Sequence, residues 1–285
     1  MKFTPGTEIV ELADGMYARL HENLTNAGII IGDEGVMIID SLRMPSFARD
    51  LKDDVKLITD KPIKYVLDTH AHWDHSWGNE EFPDATIIGH KNCYLEMTDP
   101  DWNSEWRSKI MSSNDPWSSE ANLVNITPPN LTFDTSMSIY IGGRELEILH
   151  LGKAHTSGDI FIHVPSEKLV FTGDVIQKER VPYLGDSYPH DWLDTDDRVS
   201  ELPINRFVSG HGDIGNHDDL MEARAFIHNL VGETIDTIQD GKGKEEAQNQ
   251  VIESMTSRFS NWVGFDTMDE KFGDVYTKLT ASYFQ

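Results

Sequence analysis

Three histidines and an aspartate fall within the six residues that begin at His70 in the stretch "THAHWDH". Packing alone does not ask for that density. Imidazole and carboxylate are the nitrogen and oxygen donors that divalent cations take. In extended backbone His70 and His72 leave the chain on the same side, while Asp74 and His75, where the chain turns, face a second point nearby. One segment therefore serves two centres.

Three later segments each add one donor. "GKAHTSGD" at 152–159 offers His155, "FTGD" at 171–174 offers Asp174, and "SGHGD" at 209–213 offers His211. Each lies next to a glycine or small residue that lets backbone and ligand crowd together. A lone histidine is ordinarily a hydrogen-bonded core or surface residue, and "TGD" or "GHG" alone is an ordinary turn. The weight lies on the first motif and on the order of the others behind it.

A mononuclear catalytic zinc uses about three protein ligands and an open position, so five imidazoles and two carboxylates suit two ions better than one. His70, His72 and His155 would hold the first ion, and Asp74, His75 and His211 the second. Asp174 would bridge them, with a hydroxide opposite. A single zinc already brings a bound water to a pKa of about 7, so two divalent cations make a nucleophile at neutral pH. Zn²⁺ is the expected metal, while Mn²⁺, Fe²⁺ and Co²⁺ also accept these donors. Asp74 is in addition the expected acceptor of the released proton. His21, His90, His150, His163, His190, His217 and His228 lack such a setting and read as structural or surface residues.

The donors need strands to deliver them. "EIVELADGMYARL" reads as two strands around Asp14-Gly15, and "NAGIIIGDEGVMIID" as two more around Glu34-Gly35. Residues 45–59 are helical in spacing, with Phe47, Leu51, Val55 and Ile58 at intervals of four and three. "IKYVLDTH" and "ATIIGH" read as strands, with a helix over 91–97. From about Asp99 to Asn130 the periodicity fails, predicting a long excursion of loop and short helix. Strands resume at "MSIYIGG", "ELEILHL", "DIFIHVP", "KLVFTGD" and "INRFVSGHGD". Beyond them Leu220, Ala223, Ile227, Leu230, Val231 and Ile238 mark an amphipathic helix stopped by "GKG", and two further helical stretches follow.

With 285 residues, 38% of them hydrophobic, the chain can bury a sizeable core. Cys93 is the only cysteine, so a cysteine-built zinc site and an internal disulfide are excluded. The net charge of −25 repels phosphate backbones and disfavours nucleic acid as a partner. It reads as a hydrated surface, suited to salty surroundings among others. The absence of a long apolar run predicts a cytoplasmic protein without a membrane segment.

In "GVMIIDS", "THAHWDHSWGN", "GKAHTSGD", "FTGDVI" and "SGHGD", in that order, the sequence resembles the metallo-β-lactamase-fold hydrolases. The resemblance covers roughly residues 8–215 and implies an α/β fold: a four-layer αβ/βα sandwich with the site along one edge between two sheets. It implies the same seven ligands and a supporting role for Asp40, which would orient a ligand histidine. The whole chain is expected to form one such domain, with residues 217–285 as a helical extension. That extension resembles those of a broad branch of the superfamily and is expected either to pack against the sandwich or to form a homodimer contact.

The implied reaction is hydrolysis of a small-molecule carbonyl substrate: lactone, ester, thioester, amide or β-lactam. One group of β-lactamases places a cysteine on the second metal, where this chain has Asp174. Diiron electron-transfer relatives carry glutamate in place of His72, and glyoxalase-like thioesterases continue the third motif differently from "HTSGD". A phosphodiesterase or nuclease on the same metals, a metal-binding protein without catalysis, and a non-hydrolytic iron-dependent oxygenase are the competing classes. Trp73, Trp77, Trp102, Trp106 and Trp117 are expected to form either an apolar wall or core filling. Trp73, Trp77, Lys153 and Tyr183 are the candidate substrate contacts.

Overall fold

The structure is a computed structural model that describes residues 2–283. Its first half builds one sheet. Strands β1 (Thr7–Ala13) and β2 (Met16–His21) are joined at Asp14-Gly15, where Gly15 takes a φ of +69° that a side chain would resist. β3 (Ala27–Ile31) and β4 (Val36–Ile39) follow as a second antiparallel pair. Helix α1 (Pro45–Ile58) opens on a proline in its first turn and crosses over to β5 (Ile63–Leu67), which pairs with β4 in parallel. A single turn, α2 (Trp73–Ser76), precedes β6 (Thr86–His90), α3 (Lys91–Thr98), α4 (Pro100–Met111) and β7 (Leu131–Phe133). The seven strands lie in sequence order.

The second half builds a second sheet from β8 (Ser136–Ile141), β9 (Arg144–Leu149), β10 (Phe161–Val164) and β11 (Leu169–Gly173), then helix α5 (Pro189–Ser200), β12 (Arg206–Ser209) and β13 (Gly215–Asn216). Its order is β13-β12-β11-β10-β9-β8. Helices α6 (His217–Gln239), α7 (Lys244–Phe259) and α8 (Met268–Tyr283) close the described chain. Asn216 caps α6 with a reciprocal capping box to Asp219.

Three apolar clusters define the layers. Met16, Ile30, Met37, Ile39 and Leu67 from the first sheet meet Ile148, Ile162, Leu169, Phe171 and Val208 from the second. α1 covers the outer face of the first sheet through Ala48, Leu51 and Val55. α5 to α8 cover the outer face of the second, where Phe226, Phe259 and Phe272 pack in one cluster with Phe161, Val170 and Phe207. Each fully buried ring of that size contributes about 1.5–3 kcal/mol. The expected four-layer α/β sandwich is therefore present, and the C-terminal helices belong to its outer layer. Among the described residues no helix is long and apolar enough to cross a membrane.

The excursion after Asp99 is more helical than its composition predicts. Asp99 accepts from the main-chain N–H groups of Asp101 and Trp102, and Pro100 takes the first helical position, so α4 runs to Met111. The sequence reading also passes over α5, because its buried stripe includes Thr195 and Asp196 beside Trp192 and Val199. The Asp196 carboxyl accepts from the Trp192 indole N–H.

Candidate metal centre

The sheets bring their strand ends to one edge, and there all seven candidate donors arrive. His70 and His72 lie just beyond β5, and Asp74 and His75 on the α2 turn; His155 lies on the β9–β10 connection, and Asp174 and His211 just past β11 and β12. His72 keeps extended backbone (φ −61°, ψ 145°) before the helical turn, which sends Asp74 and His75 a different way. Ligand atoms of His70, His72 and His155 lie within 4.8 Å of one another; so do those of His70, His75 and Asp174, and those of Asp74, His75 and His211.

The outer nitrogen of each ring fixes what the inner one presents. His155 Nδ1 donates to the Tyr183 carbonyl at 3.0 Å, and His72 Nε2 to the Asp186 carboxylate at 3.0 Å. The Thr69 hydroxyl donates to Asp40 Oδ2 at 2.9 Å and so accepts from His70 Nδ1 at 3.0 Å. Each ring therefore keeps a lone pair on its other nitrogen. Those three nitrogens converge: His72 Nδ1 stands 2.8 Å from His155 Nε2 and 3.1 Å from His70 Nε2. Burial holds His70 well below the usual imidazole range, and burial and the neighbouring His72 ring bring His155 down to about 3. His72 Nδ1 thus faces two ring nitrogens whose partners across the ring already take a proton. Nitrogens about 2.0–2.1 Å from a tetrahedral zinc would stand roughly 3.3 Å apart, so the spacing fits an ion.

The second group gathers positive charge. His75 Nδ1 donates to Asp40 Oδ2 at 2.7 Å, and His211 Nδ1 to the Leu24 carbonyl at 3.2 Å. Their Nε2 atoms face carboxylates: His75 lies 3.4 Å from Asp174 Oδ1, and His211 lies 3.2 Å from Asp74 Oδ2 and 3.4 Å from Asp174 Oδ2. Burial alone would lower both rings, but the carboxylates outweigh it and push His75 up to about 9 and His211 to about 10. Burial likewise opposes ionisation of Asp74 and Asp174, yet the facing histidines hold both well below the usual carboxylate range. His75 Nε2 and Asp174 Oδ1 are buried without a hydrogen-bond partner. An unpaired buried nitrogen beside an unpaired buried carboxylate oxygen is costly in a dry site and is what a cation would satisfy.

Asp40 sits where the sequence places a supporting carboxylate. Buried at a φ of +63°, it accepts from the Thr69 N–H and hydroxyl and from His75. Two supports were not legible in the sequence. Asp186, on the loop before α5, holds His72. Thr25 donates to Asp74 Oδ2 at 3.0 Å and accepts from Arg43, whose guanidinium lies 5.0–5.5 Å from the ring centres of Phe47, Trp73 and Trp117. Neither has a local motif, since each acts on a donor far along the chain.

The substrate-contact expectations divide. Tyr183 stands beside the site, its ring 5.7 Å from His72, and Trp73 is half-buried against Trp77. Trp77 is only 2% exposed within the cluster of Met44, Trp106 and Ile110, so it is core rather than wall. Lys153 is exposed, and its ammonium lies 4.7 Å from the centre of the Tyr188 ring. Its position next to Gly152 in the motif did not carry its side chain inward. A cavity of about 470 Å³ lined by Trp102, Asp186, Tyr188, Lys278 and Leu279 lies close by, but none of the seven donors lines it.

Comparison with known proteins agrees with this geometry. The family model of the metallo-β-lactamase superfamily matches residues 22–211. A type 2 metallo-β-lactamase of Elizabethkingia meningoseptica is 24% identical over 257 residues, covering 86% of this chain and 90% of its own. An acyl-coenzyme A thioesterase of Homo sapiens is 27% identical over 226 residues, 70% of this chain and 79% of its own. Among solved structures, a metallo-β-lactamase from Pontibacter korlensis superposes with a TM-score of 0.63 at 18% identity, over 78% of this chain and 99% of that one. The FIM-1 metallo-β-lactamase of Pseudomonas aeruginosa in its mono-zinc form gives 0.62 at 15% identity, over 80% and 97%. With five imidazoles and two carboxylates gathered at the edge of a four-layer sandwich, this chain belongs to the metallo-β-lactamase superfamily and is a hydrolase of that superfamily.

Proposed function

We propose that the protein is a dinuclear, metal-dependent hydrolase of a small carbonyl substrate such as a lactone, ester, thioester or β-lactam, with zinc as the metal its donors suit best. The observation that carries this reading is the convergence of three imidazole nitrogens at 2.8 and 3.1 Å beside a second, carboxylate-rich group. Two divalent cations, when bound, supply Lewis acidity toward a carbonyl oxygen and a water acidified to near neutrality. His70, His72 and His155 would hold one, Asp74, His75 and His211 the other, with Asp174 shared.

The chain's own groups do the rest. Asp40, Asp186 and the Tyr183 carbonyl lock the ring tautomers, so little reorganisation is left for the reaction. Asp74 is in this reading also the acceptor of the released proton, and the Thr25 hydroxyl, donating to its Oδ2 at 3.0 Å, helps to orient it. Trp102 stacks on His72 at 5.8 Å between ring centres and Tyr183 stands on another side, an aromatic flank suited to an apolar acyl or ring group. The β-lactamase and thioesterase relatives share attack at a carbonyl carbon, which supports a carbonyl substrate over a phosphodiester.

The test is metal analysis of the purified protein combined with a panel of lactones, esters, thioesters, β-lactams and phosphodiesters. His72→Ala and Asp174→Ala should each lose metal and hydrolysis while remaining folded. Turnover retained by a metal-free variant would end this reading.

A further inference from the structure

The geometry points to Lys278, on helix α8 of the C-terminal extension, as a positioning residue for the first histidine group, acting through the loop at 183–187. This rests on the metal-centre reading above and goes beyond it, since Lys278 lies outside the residues that the family model matches.

Lys278 Nζ reaches three main-chain carbonyls of that loop: Gly185 at 2.5 Å, Ser187 at 2.7 Å and Leu184 at 3.4 Å. An ammonium has three protons and no acceptor, so this one side chain spends its full donor capacity on three carbonyls within the stretch 184–187. That stretch, with Tyr183 directly before it, carries the groups that orient two of the three converging rings. Asp186, between the gripped carbonyls, receives the His72 Nε2 proton, and the Tyr183 carbonyl receives the His155 Nδ1 proton. The other end of the strut is fixed as well, because Phe272, Val275 and Leu279 of α8 are buried in the cluster that includes Trp192 of α5 and Leu184 of the loop.

Apart from Lys278 and the two histidines it orients, the loop is held by the Ser187 Oγ donation to the Leu184 carbonyl at 2.7 Å and, just past it, by the Tyr188 N–H donation to the Ala154 carbonyl at 2.7 Å. The cavity on its outer side leaves Asp186 room to swing away from His72. The second group has no such dependence, since Asp40 and the Leu24 carbonyl orient His75 and His211 from the first sheet's side of the molecule.

The experiment titrates metal-free protein with Zn²⁺ against a chelator, reads the Co²⁺ visible spectrum of each equivalent, and compares metal-free unfolding midpoints. Lys278→Met should weaken one equivalent about 10-fold, within the range seen for outer hydrogen-bond partners of ligands, and leave the other unchanged. Lys278→Arg should recover most of that loss. Asp186→Asn should reproduce it, and the double variant should lose no more than Asp186→Asn alone. Asp186→Asn keeps the test open if Lys278→Met does not fold. Unchanged affinities in Lys278→Met, equal weakening of both equivalents, or additive losses in the double variant would overturn the inference. A wild-type protein that takes up no divalent metal would overturn the metal-centre reading itself, a result separable from the others.

Discussion

The main chain of Gly210 runs so close to the Asp174 carboxylate that a Cβ at this position would stand 2.1 Å from Asp174 Oδ1 and 2.6 Å from His75 Cε1. The glycine is there for approach, because its φ does not lie in the left-handed region. Gly210→Ala is therefore expected to displace the shared carboxylate and the ring beside it. Metal content should fall and hydrolysis should drop about 100-fold, the cost of roughly 1 Å of misplacement. Full metal loading with an unchanged rate would show that the loop yields without disturbing the site.

Asp40 accepts three hydrogen bonds at a backbone angle that Asp and Asn tolerate better than most residues. Asp40→Asn keeps that backbone but can set an amide N–H against the His75 Nδ1 proton. The affinity of the group containing Asp74, His75 and His211 should fall about 10- to 100-fold. Chelator competition measures it, and equal affinities for variant and parent would remove Asp40 from the set of orienting groups.

Trp77 and Trp73 predict opposite outcomes. Trp77 fills the core, so Trp77→Ala should cost about 3–5 kcal/mol in denaturant unfolding and leave KM unchanged. Trp73 is partly exposed beside the motif, so Trp73→Ala should raise KM for apolar substrates with a smaller loss of stability. The reverse pattern would exchange their roles.

Asp159, which is not itself one of the seven donors, supplies a pH dependence. Burial pushes its carboxyl up to about 8, although the Thr156 N–H and hydroxyl both donate to it. An unfolded aspartate has a pKa of about 3.9. The folded state therefore binds the proton more tightly, and this contribution is complete below about pH 4 and lost as pH rises through about 8. Asp159→Asn should flatten the fall in metal-free stability across that window. Urea unfolding at several pH values reads it, and parallel curves for the two proteins would contradict the assignment.

What was legible follows from periodicity and local chemistry. Glycine turns with alternating or continuous apolar residues mark β1 to β4, the spacing of Leu220, Ala223, Ile227 and Leu230 marks α6, and "THAHWDH" declares its donors by type alone. α5 escaped because its buried stripe mixes Trp192 and Val199 with Thr195 and Asp196, and α4 runs longer than the short helix expected there because the Asp99 cap and Pro100 start it cleanly.

By itself, the sequence determined the donor types, their order along the chain and the strands that deliver them, because side-chain chemistry and the two backbone periods are local properties. Only the tertiary structure decided which nitrogen of each ring turns inward. That choice rests on Asp186, Tyr183, Leu24 and Asp40, each brought to its histidine by chain segments far apart in number. A hydrogen bond forms by distance in space, and the packing of two sheets face to face creates those distances.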